Sequence, residues 1–400
     1  MKNIKFKLIC VVFSFSSALA AQIDYNKYSS SDDILAKLLV DSNYNNAAWE
    51  LSYIGEYKKM LEVWDHSERI PPSRLSNDEL SYFSKFKAQK AVDFIKEKAK
   101  TEQIIIINEA HQQPYHRVFT TSILHELYEA GFRYFGAETI TNFEENLKEL
   151  EKNKFPTLKS GIYLKEPYYG NLVREAMNEG FKIFGYESTL YPDTIPGNRE
   201  LEQAKNIKKI LEKDPKAKIL IHCGFDHLIE TPLPSWGKAM AGRLTELTGI
   251  NPFTIDQVKL TEHSSTEYNN PFWKEAELNY YALFIDSTGQ CFYGPKEFHM
   301  YDARLYHPIS KWISGRPDWV YQNGRTAYLI KKKITVSYPC LVFAYIAREK
   351  KISDFAIPFD VIELHSQNEI KALSLKKGIE YKIILRDSHS KEQNLTVKIK

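Results

Sequence analysis

Four apolar runs alternate with helical segments between residues 103 and about 250, and this alternation is the feature that most restricts the fold. The predicted strands are Gln103 to Ile107, Phe132 to Ala137, Phe181 to Gly185 and Ala217 to His222. Residues 116–130, 170–179 and 198–213 lie between them and carry apolar side chains at helical spacing. Strands that are apolar throughout and separated by helices favour a parallel sheet covered on both faces. We therefore predict an α/β core domain over residues 101–275.

Different patterns flank this core. Residues 21–100 predict an N-terminal helical region, with one helical face from Trp49 to Trp64 and a second helix from Asn77 to about Lys98. Residues 276–400 consist of short runs rich in β-branched and aromatic residues, which predicts a β-rich C-terminal region. The expected fold class is thus α/β, with a mainly parallel sheet, flanking helices, an N-terminal helical segment and a β-rich C-terminal part.

Residues 1–20 have the layout of a secretory signal peptide. Three lysines precede a short apolar stretch, and small residues end at Ala20. The apolar stretch is too short to span a bilayer, and no later segment has the roughly 20 apolar residues that a span needs. We expect an exported protein, periplasmic or secreted, without a transmembrane segment.

Charge and cysteine content exclude two classes of protein. Without the three lysines of residues 1–20, the 54 basic residues fall to 51 and equal the 51 acidic ones. A neutral chain gives no indication of a nucleic-acid partner. Three cysteines then remain, Cys223, Cys291 and Cys340, and this odd number excludes a disulfide scaffold. Cys291 and Cys340 lie in strand-like segments and could pair.

Each predicted strand of the core is followed by ionisable residues. In chain order these residues are Glu109 and His111 in the segment NEAH, then Glu138, then Glu187, and finally Asp226 with His227. The carboxyl ends of parallel strands lie at one edge of the sheet, where ligands bind. Like charges gathered at one edge need a cation, a shared proton or a substrate to relieve their repulsion. The sequence therefore predicts an active site at this edge.

The residue types favour activation of a water molecule. The chain has neither a Gly-x-Ser-x-Gly turn nor a glycine-rich phosphate loop, which argues against a triad hydrolase and a nucleotide-binding protein. His111, Glu138 and His227 could hold a catalytic metal with an open position. Alternatively, a glutamate and a histidine could activate water without a metal, and the second histidine could protonate the leaving group. Both routes predict hydrolysis of an ester, lactone or peptide.

Four further residues are candidates for substrate binding: His116, Arg117, Tyr186 and Asp226. His116 and Arg117 open a predicted helix, where a cation is unfavourable, so we expect an acidic neighbour or an anionic ligand. A helix start exposed to water is the alternative. Tyr186 could donate a hydrogen bond to a substrate oxygen or simply pack. His222 lies inside its strand, and we expect it to be buried and hydrogen-bonded.

The motifs of this edge resemble those of one superfamily. Asn108 to His111 and Gly224 to His227 each place a histidine three positions after a small residue, with Glu138 at the end of the intervening strand. This arrangement resembles the erythromycin esterase, ChaN, TraB and Tiki superfamily of α/β proteins, over about residues 100–250. Asn108 stands where the family has glycine, and asparagine tolerates left-handed backbone angles better than most residues.

The resemblance implies three kinds of activity. Erythromycin esterases hydrolyse a lactone without an evident metal requirement, whereas Tiki-type members look like metal-dependent proteases, whose ligands carry over onto His111, Glu138 and His227. ChaN-type members are exported haem-binding proteins. We therefore expect a hydrolase that acts on a small molecule or peptide through these three residues, with Glu109 and Glu187 adjusting their charge. The alternatives are a periplasmic haem or small-ligand binding protein and an interaction module. The sequence leaves open the substrate, the use of a divalent metal and the oligomeric state.

Overall fold

The computed structural model describes residues 28–68, 70–189, 195–234, 236–295 and 299–400. The predicted signal peptide at residues 1–20 lies outside these ranges. Within them, no helix combines the length and the apolar character that a membrane crossing requires.

Three helices open the described chain: α1 (Ser31–Asp41), α2 (Tyr44–Tyr53) and α3 (Tyr57–Glu68). The sequence predicted one helical face from Trp49 to Trp64, but the face is divided between two helices. Gly55, at φ +75°, redirects the chain after α2 because a glycine adopts this left-handed conformation without steric strain. The buried sides of these helices pack against the C-terminal region in a shared apolar cluster.

The prediction of one helix from Asn77 to Lys98 is wrong in its middle. Helix α4 (Asn77–Phe83) is followed by strand β1 (Lys87–Lys90), and α5 (Ala91–Thr101) begins only afterwards. Strand β1 pairs antiparallel with β7 (Ala282–Ile285) at the edge of the main sheet. A pairing with a distant part of the chain therefore overrides the local helical spacing.

The α/β core forms around an eight-stranded sheet. Its other strands are β2 (Ile104–Glu109), β3 (Phe132–Ala137), β4 (Lys182–Phe184), β5 (Lys218–Gly224), β6 (Phe253–Leu260) and β8 (Ala303–Tyr306). Their order across the sheet is β1-β7-β8-β6-β2-β5-β3-β4. The strands from β8 to β4 run parallel to one another, whereas β7 is antiparallel to both of its neighbours. The predicted mainly parallel sheet is confirmed.

Helices cover both faces of this sheet. They are α6 (Pro114–Glu129), α7 (Glu144–Asn153), α8 (Pro167–Glu179), α9 (Asn198–Lys213), α10 (Met240–Thr248) and α11 (Pro271–Ala276). The isoleucines of β2 alternate between the faces: Ile105 and Ile107 pack with α6 and α8, whereas Ile104 and Ile106 pack with α9 and α10. All four are fully buried, which stabilises the fold by about 1.5–3 kcal/mol per side chain. Strand β2 is therefore firmly held at the centre of the sheet.

The C-terminal part is rich in β-structure, as predicted. Its strands are β9 (Trp312–Ile313), β10 (Arg316–Pro317), β11 (Arg325–Tyr328), β12 (Cys340–Ile346), β13 (Asp360–Leu364), β14 (Leu373–Lys376), β15 (Glu380–Asp387) and β16 (Glu392–Lys398), with the short helix α12 (Ala347–Ile352) after β12. Four of them form an antiparallel sheet in the order β13-β12-β15-β16. Strands β7 and β8 lie beyond residue 275 but belong to the eight-stranded sheet, so this sheet crosses a predicted domain boundary. The domain division itself stays a prediction.

The three cysteines of the described chain are buried and have free thiols: Cys223, Cys291 and Cys340. Cys291 lies in the apolar cluster of the main sheet, and Cys340 lies in the cluster of the C-terminal sheet. The disulfide that the sequence allowed between these two residues is therefore not formed.

Candidate active site

The predicted histidines and carboxylates lie at the carboxyl-terminal edge of the main sheet. Glu109 is the last residue of β2, Glu138 follows β3, and His227 lies in a 3-10 turn directly after β5. Gly224 ends β5 and brings them together. A methyl group at Gly224 would lie 2.5 Å from Nε2 of His111 and 2.8 Å from Glu138, so only glycine permits this close approach.

Glu109 organises the first half of the site. Its Oε1 accepts a hydrogen bond from Nδ1 of His111 at 3.0 Å, and its Oε2 accepts one from Nε2 of His222 at 2.7 Å. Arg117 donates to both oxygens at 2.6 Å. Burial would raise the pKa of Glu109, but the neighbouring cations and these hydrogen bonds hold it well below its usual range. Glu109 is therefore a fixed negative charge.

The hydrogen bond to Glu109 determines the tautomer of His111. An ionised carboxylate only accepts hydrogen bonds, so Nδ1 of His111 carries a proton, and in the neutral form of the ring Nε2 is the nitrogen that accepts one. Nε2 has no hydrogen-bond partner among the described residues and faces Gly224 and Glu138. This is the arrangement of a histidine base that a carboxylate orients.

Arg117 joins Glu109 to a second buried carboxylate. It donates to Oε2 of Glu166 at 2.9 Å and to the backbone oxygen of His111 at 2.7 Å, and it stacks over the ring of Tyr169. Its side chain is 1% exposed, so it cannot contact a substrate. The acidic neighbour predicted for Arg117 is present, and its role in the structure is to position Glu109 and His111.

Glu138 lies between the two histidines. Its Oε2 accepts a hydrogen bond from the backbone N–H of Gly224 at 2.6 Å, and its Oε1 accepts one from Arg199 at 2.7 Å. Nε2 of His227 is 3.5 Å from the same Oε1 atom. Burial would raise the pKa of Glu138, but the nearby cations, His227 first, hold it well below its usual range. Glu138 therefore places a negative charge at the centre of the site.

His227 is held by a carboxylate that the sequence did not identify. Its Nδ1 donates to Oε2 of Glu200 at 2.8 Å, and its ring stacks against Trp236. Burial alone would lower the pKa of His227, but the charges of Glu200 and Glu138 outweigh burial and raise it to about 10. The two carboxylates therefore favour the protonated ring of His227.

Arg199, in the first turn of α9, is the second residue that the sequence analysis missed. Its guanidinium donates to Glu138, binds both oxygens of Glu187 at 3.0 and 2.5 Å, and lies 3.2 Å from Nε2 of His227. Gln203 donates a further hydrogen bond to Glu187 at 3.0 Å. The side chain of Arg199 is 33% exposed, so this cation also reaches solvent. Glu187 therefore holds Arg199 in place beside Glu138.

Aromatic rings enclose His111. Tyr163 stacks on its ring at 4.5 Å, while Trp49 and Phe225 contact it edge-on at 5.5 and 5.2 Å. Trp49 comes from α2, so the N-terminal helical region forms one wall of the site. These rings limit access of water to His111 and leave its Nε2 edge toward Glu138.

The remaining predicted residues do not line the cleft in the expected way. His116 is fully buried, and its Nδ1 accepts a hydrogen bond from the backbone of Ala110 at 3.0 Å. Tyr186 is also fully buried and donates to the backbone oxygen of His222, which supports the packing alternative. Asp226 is exposed in the same 3-10 turn as His227. His222 is buried and hydrogen-bonded, as expected.

The predicted metal ligands are not gathered closely around one point in this structure. The donor atoms of His111, Glu138 and His227 are not all within 4.8 Å of one another. The guanidinium of Arg199 contacts both Glu138 and His227, and it supplies the positive charge that a metal would bring. The metal and haem assignments stay predictions.

No model of a known protein family matches this chain, and no curated protein matches it. Solved structures with weak similarity include the type III effector HopBA1, at 14% identity and a TM-score of 0.31, over 44% of this chain and 87% of that one. ChaN of Campylobacter jejuni, described for its cofacial heme binding, has 11% identity and a TM-score of 0.31, over 45% and 89% of the two chains. The C-terminal region of Pasteurella multocida toxin, described for a thiol-protease-like catalytic triad, has 12% identity and a TM-score of 0.31, over 72% and 34%. Similarity at this level assigns no function.

Proposed function

We propose that the protein is a hydrolase that activates water with His111 and needs no metal. The observation that carries the proposal is the pair of carboxylate–histidine contacts, Glu109 to His111 and Glu200 to His227, on either side of Glu138. The two histidines have different surroundings. Nε2 of His111 has no hydrogen-bond partner among the described residues, whereas two carboxylates raise the pKa of His227 to about 10. A general base and a general acid beside the same carboxylate are the groups that acid–base hydrolysis uses.

In the proposed reaction, a water molecule adds to a carbonyl carbon and gives its proton to Nε2 of His111. The bond from that carbon to the leaving oxygen or nitrogen then breaks, and His227 donates a proton to the leaving group. Glu138 stabilises the positive charge that forms on His111, and Arg199 stabilises negative charge on the carbonyl oxygen. Solvent exchange returns both histidines to their starting states. Each group therefore has one role that a substitution can test.

The test is hydrolysis of a panel of chromogenic esters, lactones and peptides by the purified protein. His111→Gln and Glu138→Gln should each lower kcat/KM at least about 100-fold, the usual scale of general base catalysis. The matched control is His125→Gln, because His125 also contacts a glutamate, Glu179 at 3.2 Å, but lies exposed on α6. The control should keep full activity, and equal activity of the His111 variant and the parent would refute the proposal.

Two further measurements separate this proposal from its alternatives. Zinc should not bind at His111, because Arg199 already provides the positive charge beside Glu138; an equivalent of zinc that the chelator-treated parent binds and His111→Gln does not bind would contradict the metal-free mechanism. A haem titration tests the binding-protein alternative. A Soret band that the parent shows and His111→Gln lacks, together with no hydrolysis of any panel member, would replace the hydrolase by a ChaN-like haem carrier.

We also propose that the protein is exported. The support is the sequence of residues 1–20, with lysines, an apolar stretch and a small-residue ending at Ala20. N-terminal sequencing of the protein from intact expressing cells should give a chain that begins at Ala21. A chain that retains Met1 and is found only in the cytoplasm would contradict export.

A further inference from the structure

A second cluster of ligand-type side chains lies away from the candidate active site, where the N-terminal helices meet the C-terminal sheet. Glu56 directly precedes α3, Glu363 lies in β13, and His365 follows β13. One oxygen or nitrogen atom of each side chain lies within 4.8 Å of the others. Among the described residues, this is the one group of three or more such side chains gathered this closely.

Glu363 has a buried carboxylate oxygen without a hydrogen-bond donor among the described residues. The residue is 0% exposed, and its Oε1 accepts a hydrogen bond from the backbone N–H of Ser31 at 3.0 Å. Its Oε2 accepts no hydrogen bond from any described residue and lies 3.3 Å from Nε2 of His365. A buried carboxylate oxygen without a donor is costly unless a positive charge relieves it.

The charges around the cluster leave room for a cation. Lys371 donates to Oε1 of Glu56 and to the backbone oxygen of Glu363, and Lys59 lies 3.5 Å from Oε2 of Glu56. The carboxylate of Glu369 adjoins Lys371 at 3.6 Å. Two ammonium groups therefore face three carboxylates. Lys371 does not contact Oε2 of Glu363, the atom that needs a partner.

We propose that Glu56, Glu363 and His365 bind a divalent transition metal, with zinc as the best match. One imidazole and two carboxylates are zinc-type ligands, and a water molecule would complete a tetrahedron. Ligands about 2.1 Å from zinc are about 3.4 Å apart in this geometry, so the side chains need only small rotations to close around the ion. His365 has a side chain that is 36% exposed, which gives the ion a path from solvent.

The consequence of metal binding is a link between two regions of the chain. Glu56 belongs to the connection between α2 and α3, and Glu363 also holds the first residue of α1. An ion at this position would tie these helices to the C-terminal sheet. Because α2 carries Trp49, the ion would stabilise one wall of the candidate active site without taking part in the reaction.

Calorimetric titration of the chelator-treated, untagged full chain with zinc tests the proposal. The parent should bind one equivalent, and His365→Ala should bind at least 10-fold more weakly. His365 is partly exposed, so this variant should fold even if Glu363→Gln does not. His125→Ala is the matched control, since His125 is an exposed histidine that contacts Glu179, and it should bind as the parent does. Equal affinity of the parent and His365→Ala would overturn the proposal.

Two additional variants locate the ion. His111→Gln should keep the zinc equivalent, because the proposed ligands are remote from the candidate active site. Loss of the equivalent in His111→Gln but not in His365→Ala would place zinc at the candidate active site and refute the proposal. Lys371→Met removes an ammonium that competes for Glu56 and should tighten zinc binding several-fold, whereas weaker binding would show that Glu56 is not a ligand. Zinc should also raise the Tm of the parent by a few degrees, but not that of His365→Ala.

Discussion

The buried network around Arg117 provides a quantitative prediction for Arg117→Met. Arg117 is 1% exposed and is shared by two fully buried carboxylates, Glu109 and Glu166. Methionine fills a similar volume, so the loss of packing should be small. Removing one partner of a buried ion pair costs about 3–5 kcal/mol, because the remaining charge is left unpaired. We expect Arg117→Met to lower the free energy of unfolding by about this amount at pH 8.

The same substitution should make stability depend on pH. Burial already raises the pKa of Glu166, although Arg117 opposes this effect, so Glu166 should take up a proton first when Arg117 is absent. A carboxyl group whose pKa is raised in the folded state stabilises that state while it is protonated. This stabilisation is lost as the pH rises from the pKa of the unfolded chain to the higher pKa of the folded chain. Between the folded pKa of Glu166 in the parent and its higher folded pKa in the variant, Arg117→Met should lose about 1.4 kcal/mol per pH unit relative to the parent.

Urea unfolding followed by tryptophan fluorescence at pH 5.5 and pH 8 measures both effects. Arg174→Met is the control, because Arg174 is similarly buried but contacts a single carboxylate, Glu349 at 2.8 Å. It should cost less than Arg117→Met and show a weaker pH dependence. A cost below about 1 kcal/mol for Arg117→Met, or an equal cost at both pH values, would refute the reasoning that two unpaired carboxylates remain.

The remaining predictions concern three other residues at this edge of the sheet. Gly224→Ala should lower hydrolysis at least about 100-fold, since the new methyl group would lie 2.5 Å from Nε2 of His111, and unchanged activity would contradict this geometry. The pKa of His227 is raised to about 10, so its protonated ring stabilises the folded state fully below pH 6.5. In urea titrations, the stability advantage of the parent over His227→Gln should therefore shrink from pH 6.5 to 10. A constant advantage would contradict this prediction. Burial lowers the pKa of His116 to about 3, so the free energy of unfolding of the parent should fall by up to about 1.4 kcal/mol per pH unit below pH 6.5. The fall should be less steep in His116→Gln. An identical dependence on pH in the two proteins would contradict a buried neutral ring.

The sequence predicted the core of the fold because strand and helix periodicity are local properties. Helix α9 was predicted with its observed bounds, and strand β3 likewise. The strand-end residues Glu109, Glu138 and His227 lie at one edge because parallel strands with helical crossovers permit no other arrangement. This part of the site follows from the chain order alone.

The walls of the site could not be predicted in this way. Trp49 precedes His111 by many residues, and no period of the sequence indicates that α2 folds over β2. The helix predicted across strand β1 was wrong for the same reason, since only the pairing of β1 with β7 distinguishes it from the helices on either side. Contacts between distant segments depend on tertiary packing, which overrides local preference.

The position of Arg199 in the sequence also indicates an acidic neighbour. A cation in the first turn of a helix opposes the helix dipole, and this argument correctly predicted an acidic neighbour for Arg117 in α6. Arg199 lies in the first turn of α9, which follows β4 and Glu187 in the chain. Its acidic neighbours are Glu187 and Glu138. The positive charges of Arg117 and Arg199 allow these carboxylates to lie close together at one edge of the sheet. A helix-opening arginine after a strand that ends in glutamate is therefore a sequence signal for a carboxylate site that is neutralised from within.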